Sequence, residues 1–274
     1  MKVYISVDLE GVAGIADWEQ CVARGDDYAL GRDLALGEVN ASIDGAIEAG
    51  AEQILVNDSH SFMRNLPPGE LAGHASYLSG RFKPLYMMEG LDASFDVALF
   101  LGYHAAMPTP GILSHTYNPR AIANVTLNGT VTGEAGINAL VAMHHSVPIE
   151  VITGDQYVGP EAAPFCPGIN AIEVKTSISR YAAEHLHPHI AQQRIREGVY
   201  QALSEPSAGA PVMHLPATLE IQLMSPDMAE QATWLRGVER LTSTTVRCED
   251  DDPMRLYRRF MTLVFLTRSL VETR

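Results

Sequence analysis

Short apolar runs recur through the first half of the chain. Val3-Tyr4-Ile5-Ser6-Val7, Ile54-Leu55-Val56, Val97-Ala98-Leu99-Phe100-Leu101 and Ile149-Glu150-Val151-Ile152 are too short for helices, and β-branched and aromatic side chains favour extended structure in them. Each reads as a buried strand. Between the first two, Leu36, Val39, Ile43 and Ile47 recur at helical spacing, and Gly50 stands just past the end as a C′ glycine. Strand, helix, strand with a short turn predicts a βαβ unit with parallel strands. Residues 124–127 and Val131-Thr132 flank Asn128-Gly129, a strong hairpin signal. Thr132-Gly133-Glu134 then opens a helix through Ile137, Leu140, Val141 and His145, with Thr132 or Gly133 as cap and Glu134 in the first turn.

Gly159, Pro160, Pro164, Pro167 and Gly168 break the pattern and mark a boundary. Beyond it the spacing predicts a strand over 171–177, a helix around 186–204, a strand over 211–223, a short helix from Pro226, a strand near 240–247 and a last helix from Pro253, behind three aspartates. The expected fold is α/β: a mostly parallel sheet flanked by helices in residues 1–160, followed by a smaller α+β domain over 161–274.

With 46% hydrophobic and 19% charged residues, the 274-residue chain is globular. Its 19 lysines and arginines against 33 acids give a net charge of −14, which argues against nucleic acid or an anionic membrane as partner. No apolar run approaches a bilayer span, and Met1-Lys2-Val3-Tyr4 runs directly into a strand without signal-peptide architecture. Cys21, Cys166 and Cys248 form no disulfide framework, so a reducing cytoplasm is the expected location.

The chemistry gathers where strands end. Asp8-Leu9-Glu10-Gly11 follows the first strand, and Asp8 and Glu10 leave it on one side because residues i and i+2 share a face. Asn57-Asp58-Ser59-His60 follows the second and Gly102-Tyr103-His104 the third. In open α/β sheets, ligands collect beyond such carboxyl ends. Carboxylates with imidazoles and no thiolate suit zinc, manganese or cobalt. Asp58 either orients His60 or caps the loop. His115, in a loop rich in proline and glycine, reads as an exposed histidine. His185-Leu186-His187-Pro188-His189 reads as a helix-start surface, and His144-His145 as complements to a helix C-terminus. No GxGxxG follows the first strand, so nucleotide binding has little support.

Ser6-Val7-Asp8-Leu9-Glu10-Gly11 matches the SxDxEG signature of the D-aminopeptidase family, zinc peptidases encoded with dipeptide-transport genes in bacilli. Asn57-Asp58-Ser59-His60, Gly102-Tyr103-His104, Ser114-His115-Thr116 and Gly133-Glu134 fall in the matching order, so the chain resembles that family over nearly its whole length. The resemblance implies five metal ligands, Asp8, Glu10, His60, His104 and Glu134, with Asp8 bridging two zinc ions. It makes His115 the catalytic histidine, reversing the exposed-loop reading. It further implies attack by a metal-bound hydroxide on short peptides or amides with an N-terminal D-residue, such as D-Ala-D-Ala, inside a ring of ten subunits to which residues 161–274 contribute contacts. The alternatives are a dinuclear phosphoesterase, which would need Lys or Arg at the phosphate, and a non-catalytic dipeptide-binding protein.

Overall fold

A computed structural model describes residues 1–271. In chain order its elements are β1 (Lys2–Val7), α1 (Tyr28–Glu48), β2 (Gln53–Asp58), β3 (Ala75–Leu78), β4 (Val97–Leu101), β5 (Ile122–Leu127), β6 (Thr130–Val131), α2 (Glu134–His145), β7 (Ile149–Gly154), α3 (Val158–Ala162) and β8 (Asn170–Glu173). There follow β9 (Lys175–Ser179), β10 (Ala182–His185), α4 (Pro188–Ser204), β11 (Ala217–Leu223), α5 (Pro226–Ala232), β12 (Val238–Arg240), β13 (Thr245–Asp250) and α6 (Pro253–Thr267).

Six strands form one parallel sheet in the order β3-β2-β1-β4-β7-β8. The expected α/β architecture is therefore present. β1 lies at the centre, pairing Val7 with Asp58 on one side and with Leu101 on the other. The chain winds outward from β1 to β3 and returns to β4, so the crevice between β1 and β4 is the switch point where α/β sheets bind ligands. Central strands of such a sheet are buried on both faces, which is why β4 is apolar at every position.

The alternation of β1 assigns the two faces. Val3, Ile5 and Val7 pack beneath α1 and α4 with Leu36, Val39, Ile43, Ile195 and Val199. Tyr4 turns to the other core, shared with α2, α6 and an antiparallel sheet ordered β12-β13-β11-β5-β6. The helix of the first βαβ unit starts earlier than its apolar spacing indicates, at Tyr28, and Gly50 follows its end with φ +90°. The Asn128-Gly129 turn joins β5 to β6.

The second half departs from expectation in three places. The strand over 171–177 is two strands: β8 extends the parallel sheet, and after Val174 the chain leaves it so that β9 can pair with β10. The strand over 211–223 starts only at Ala217, since Pro211 and Pro216 have no N–H to give a ladder. The strand near 240–247 is the β12–β13 hairpin. Residue 160 does not separate the sheets either: β5 and β6 pair into the antiparallel sheet, while β8 forms an edge of the parallel one. No helix among the described residues is long and apolar enough to cross a membrane.

Candidate metal centre

Parallel strands all end on one edge, and the expected ligands meet there. Asp8 and Glu10 follow β1, His60 follows β2, His104 follows β4, and Glu134 opens α2. His115 approaches from the loop ahead of β5 and is 7% exposed, so it is not the exposed loop residue its neighbours suggest. All six residues are at most 7% exposed. Their donor atoms form three groups, Asp8-Glu10-His60, Asp8-His104-Glu134 and Glu10-His104-His115, each with its atoms within 4.8 Å of one another.

The backbone decides which way each imidazole faces. His60 Nε2 lies 2.8 Å from the Cys21 carbonyl, His104 Nδ1 3.0 Å from the Ala105 carbonyl, and His115 Nδ1 3.0 Å from the Leu113 carbonyl. A carbonyl can only accept, so each of these nitrogens carries the proton and the other nitrogen turns inward. His60 Nδ1 lies 2.9 Å from Asp8 Oδ1 and 3.1 Å from Glu10 Oε2. His104 Nε2 lies 3.4 Å from Asp8 Oδ2 and 3.5 Å from Glu134 Oε1. His115 Nε2 lies 3.7 Å from Glu134 Oε1 and 4.0 Å from Glu10 Oε1. The two oxygens of Asp8 thus face different histidines, as a bridging carboxylate requires.

Two of the inward atoms, Glu10 Oε2 and His104 Nε2, are buried without a hydrogen-bond partner. Like charges ~4 Å apart repel by about 4 kcal/mol at an effective dielectric of ~20, so three buried carboxylates call for cations among them. Protons can serve. Burial pushes the Asp8 carboxyl up, but the His104 and His60 imidazoles outweigh it and hold it well below the usual carboxylate range. Burial pushes the His60 imidazole down and Glu10 and Asp8 raise it further than that; for His104, Glu134 and Asp8 do the same. His115 goes the other way: burial and the His104 ring, stacked 4.1 Å away, lower it. Orphaned inward atoms and an all-oxygen-and-nitrogen donor set fit divalent zinc, which would take the place of those protons.

Several supports carry no motif. Lys175 Nζ, buried on β9, donates to the carbonyls of Glu10 (2.6 Å), Val12 (2.8 Å) and Ile15 (2.8 Å), and burial lowers its pKa to about 8. Glu38 of α1 accepts from the Ala13 N–H and is pushed by burial to about 7. Lys83 Nζ holds the next loop through the Asp58 carbonyl (2.7 Å) and the Asn57 side chain. The chain has only three lysines, and two of them, Lys83 and Lys175, are buried. Gly11 runs so close to the Tyr103 carbonyl that a Cβ there would stand 1.9 Å from it, which accounts for the glycine after Glu10. Asp58 accepts from Asn65, Leu66 and Tyr77, and so caps the loop instead of orienting His60. His185 Nδ1 accepts from the Gly14 N–H, and His187 caps α4.

Five of the six, Asp8, Glu10, His60, His115 and Glu134, line a cleft of about 790 Å³ together with Trp18, Glu19, Phe62 and Tyr117. Trp18 sits edge-on to the His115 ring at 5.2 Å, and the Tyr117 N–H donates to Glu134 Oε1 at 2.8 Å.

The family model of the D-aminopeptidases matches residues 1–262. A curated D-aminopeptidase of Bacillus subtilis (strain 168) is 35% identical over 268 residues, 97% of each chain. A solved structure, described as the Zn-dependent D-aminopeptidase DppA from Bacillus subtilis, a self-compartmentalizing protease, superposes with a TM-score of 0.93 at 34% identity and 98% coverage of both chains. With carboxylates and imidazoles gathered at its strand ends and a match running through nearly all of its length, this chain belongs to the D-aminopeptidase family of hydrolases.

Proposed function

We propose that the protein is a zinc aminopeptidase that removes an N-terminal D-residue from short peptides and amides such as D-Ala-D-Ala. The observation that carries this reading is the set of three imidazoles, each locked by a backbone carbonyl and each turning its other nitrogen into a knot of three buried carboxylates. Asp8, Glu10 and His60 would hold one ion and Asp8, His104 and Glu134 a second, with Asp8 shared. Bound zinc polarises a carbonyl and lowers the pKa of water toward ~7.

The chain's own groups supply the rest. His115 Nε2 is an acceptor, since its proton is on Nδ1. It is thereby suited to take a proton from attacking water and then pass it to the leaving amine. Glu19 is the carboxylate that lines the cleft without belonging to the cluster, and it is the group we assign to the substrate α-ammonium. Ammonium, scissile carbonyl and side chain then make a three-point fixation that only one configuration at the α-carbon satisfies. From the family resemblance we further assign the chain to a homo-oligomeric ring of ten subunits in the cytoplasm; the likeness to a self-compartmentalizing protease supports the assembly.

The test is an assay of the zinc-loaded protein on D-Ala-D-Ala, L-Ala-L-Ala and p-nitrophenyl phosphate. Hydrolysis of the first alone is expected. Equal turnover of the two dipeptides would defeat the stereochemical reading, and turnover of the phosphate ester alone would make the protein a phosphoesterase. Sedimentation should show a species far larger than a dimer.

A further inference from the structure

In a chain of net charge −14, four guanidinium groups, Arg81, Arg120, Arg180 and Arg268, line the cleft that holds the carboxylate–imidazole cluster. Every ion pair found for an arginine among the described residues involves another one: Arg196, Arg240, Arg247, Arg255 and Arg259. The four cleft arginines have no carboxylate within 4.0 Å among the described residues. Cations gathered without counter-ions in a cleft are arranged for an anion that arrives from outside.

The four are not equivalent. Arg81 and Arg120 are exposed, where a charge pair contributes little. Arg268 is half-buried but donates a terminal nitrogen to the Tyr86 hydroxyl at 3.2 Å. Arg180, at the turn between β9 and β10, is half-buried and tied to the segment that carries His115. Its carbonyl accepts from the Leu113 N–H at 2.8 Å, and its Nε donates to the Ser114 carbonyl at 3.1 Å. That leaves both terminal nitrogens without an acceptor among the described residues. They form a fork oriented by its own backbone and side-chain bonds and suited to a carboxylate.

We infer that Arg180 binds the C-terminal carboxylate of the substrate and so selects peptides that end close to the scissile bond, with free-acid dipeptides first. This rests on the reading that the cleft takes peptides. In a dipeptide the terminal carboxylate lies only three bonds beyond the scissile carbonyl carbon, about 3–4 Å away. Arg180 bonds the residue next to His115 and lines the same cleft as it. A longer peptide would place its carboxylate elsewhere and lose the fork.

The experiment compares D-Ala-Gly with D-Ala-glycinamide, on the zinc-loaded wild-type protein and on Arg180→Gln, with zinc content checked in each. Wild type should prefer the acid. In Arg180→Gln, KM for the acid should rise about 10–100-fold, the range for losing a charge-assisted pair, while the amide changes little. Arg180→Lys keeps the charge without the fork; it should show a smaller loss confined to the acid, and it serves where the glutamine variant does not fold. Calorimetric titration of both compounds into the metal-free protein gives the same contrast without turnover. Equal losses on acid and amide, or a wild type that does not favour the acid in either measurement, would overturn the role of Arg180. If wild type cleaves neither compound yet binds the acid through Arg180, the aminopeptidase reading falls and this one stands.

Discussion

β1 ends in Asp8-Leu9-Glu10-Gly11, and β11 ends in Met224-Ser225-Pro226. Both strands are central in their sheets and bury alternating or continuous apolar residues, yet one delivers two carboxylates to the candidate metal centre and the other a helix cap, Ser225 accepting from the Met228 N–H. Direction accounts for the difference. In the parallel sheet β1, β2 and β4 finish on one edge, so residues far apart in sequence converge there without any long excursion. In the antiparallel sheet neighbouring strands finish on opposite edges, and no common rim exists on which side chains from several strand ends can meet. The parallel sheet is thus organised around its edge and the antiparallel one around its face. The latter's apolar side, Leu219, Ile221 and Val246, packs against Leu256, Phe260 and Val264 of α6.

Substitutions on the two sheets should therefore fail in different measurements. Asp8→Ala removes the carboxylate whose two oxygens face two histidines. It should lose both zinc ions by elemental analysis and activity by on the order of 10⁴-fold or more. Retention of both ions would break the bridging role. His115→Ala should keep zinc and lose ~10²–10⁴ in kcat; loss of zinc would instead make His115 a ligand through its group with Glu10 and His104. Leu219→Ala, fully buried on β11, should cost about 2–5 kcal/mol in denaturant unfolding and leave zinc stoichiometry and KM intact in the molecules that remain folded. A change in zinc content there would show that the two sheets are not separable in this way. Lys175→Met is the finest test. It removes three hydrogen bonds to backbone carbonyls of the Asp8–Ile15 loop without touching the side chain of a proposed ligand, and should weaken zinc binding about 10–100-fold in competition with a chromogenic chelator. An unchanged zinc affinity would confine Lys175 to the fold.

Strand ends were the most readable part of the chain. The four apolar runs, the Asn128-Gly129 turn and the helix opening at Glu134 are short-range features, and the spacing of Asp8 and Glu10 follows from the two-residue strand period. The supporting lysines were not readable, because a lysine reads as surface until the partners that satisfy its ammonium are known, and those of Lys175 lie on a loop near the chain's start. The role of Asp58 needed the positions of Asn65, Leu66 and Tyr77. The burial of His115 is not legible in its proline- and glycine-rich loop because exposure depends on what packs over it, here Trp18 and the cleft wall.

The sequence by itself thus determined the strands β1, β2, β4 and β7, the Asn128-Gly129 turn and the helix α2, which donor atoms are available, and through SxDxEG which family the chain resembles, since each depends on residues that are neighbours along the chain. Only the tertiary structure decided the order β3-β2-β1-β4-β7-β8, the passage of β5 and β6 into the second sheet, the inward nitrogen of each imidazole and the unpaired fork of Arg180. These depend on hydrogen bonds and contacts between residues distant in sequence, which local patterning does not encode.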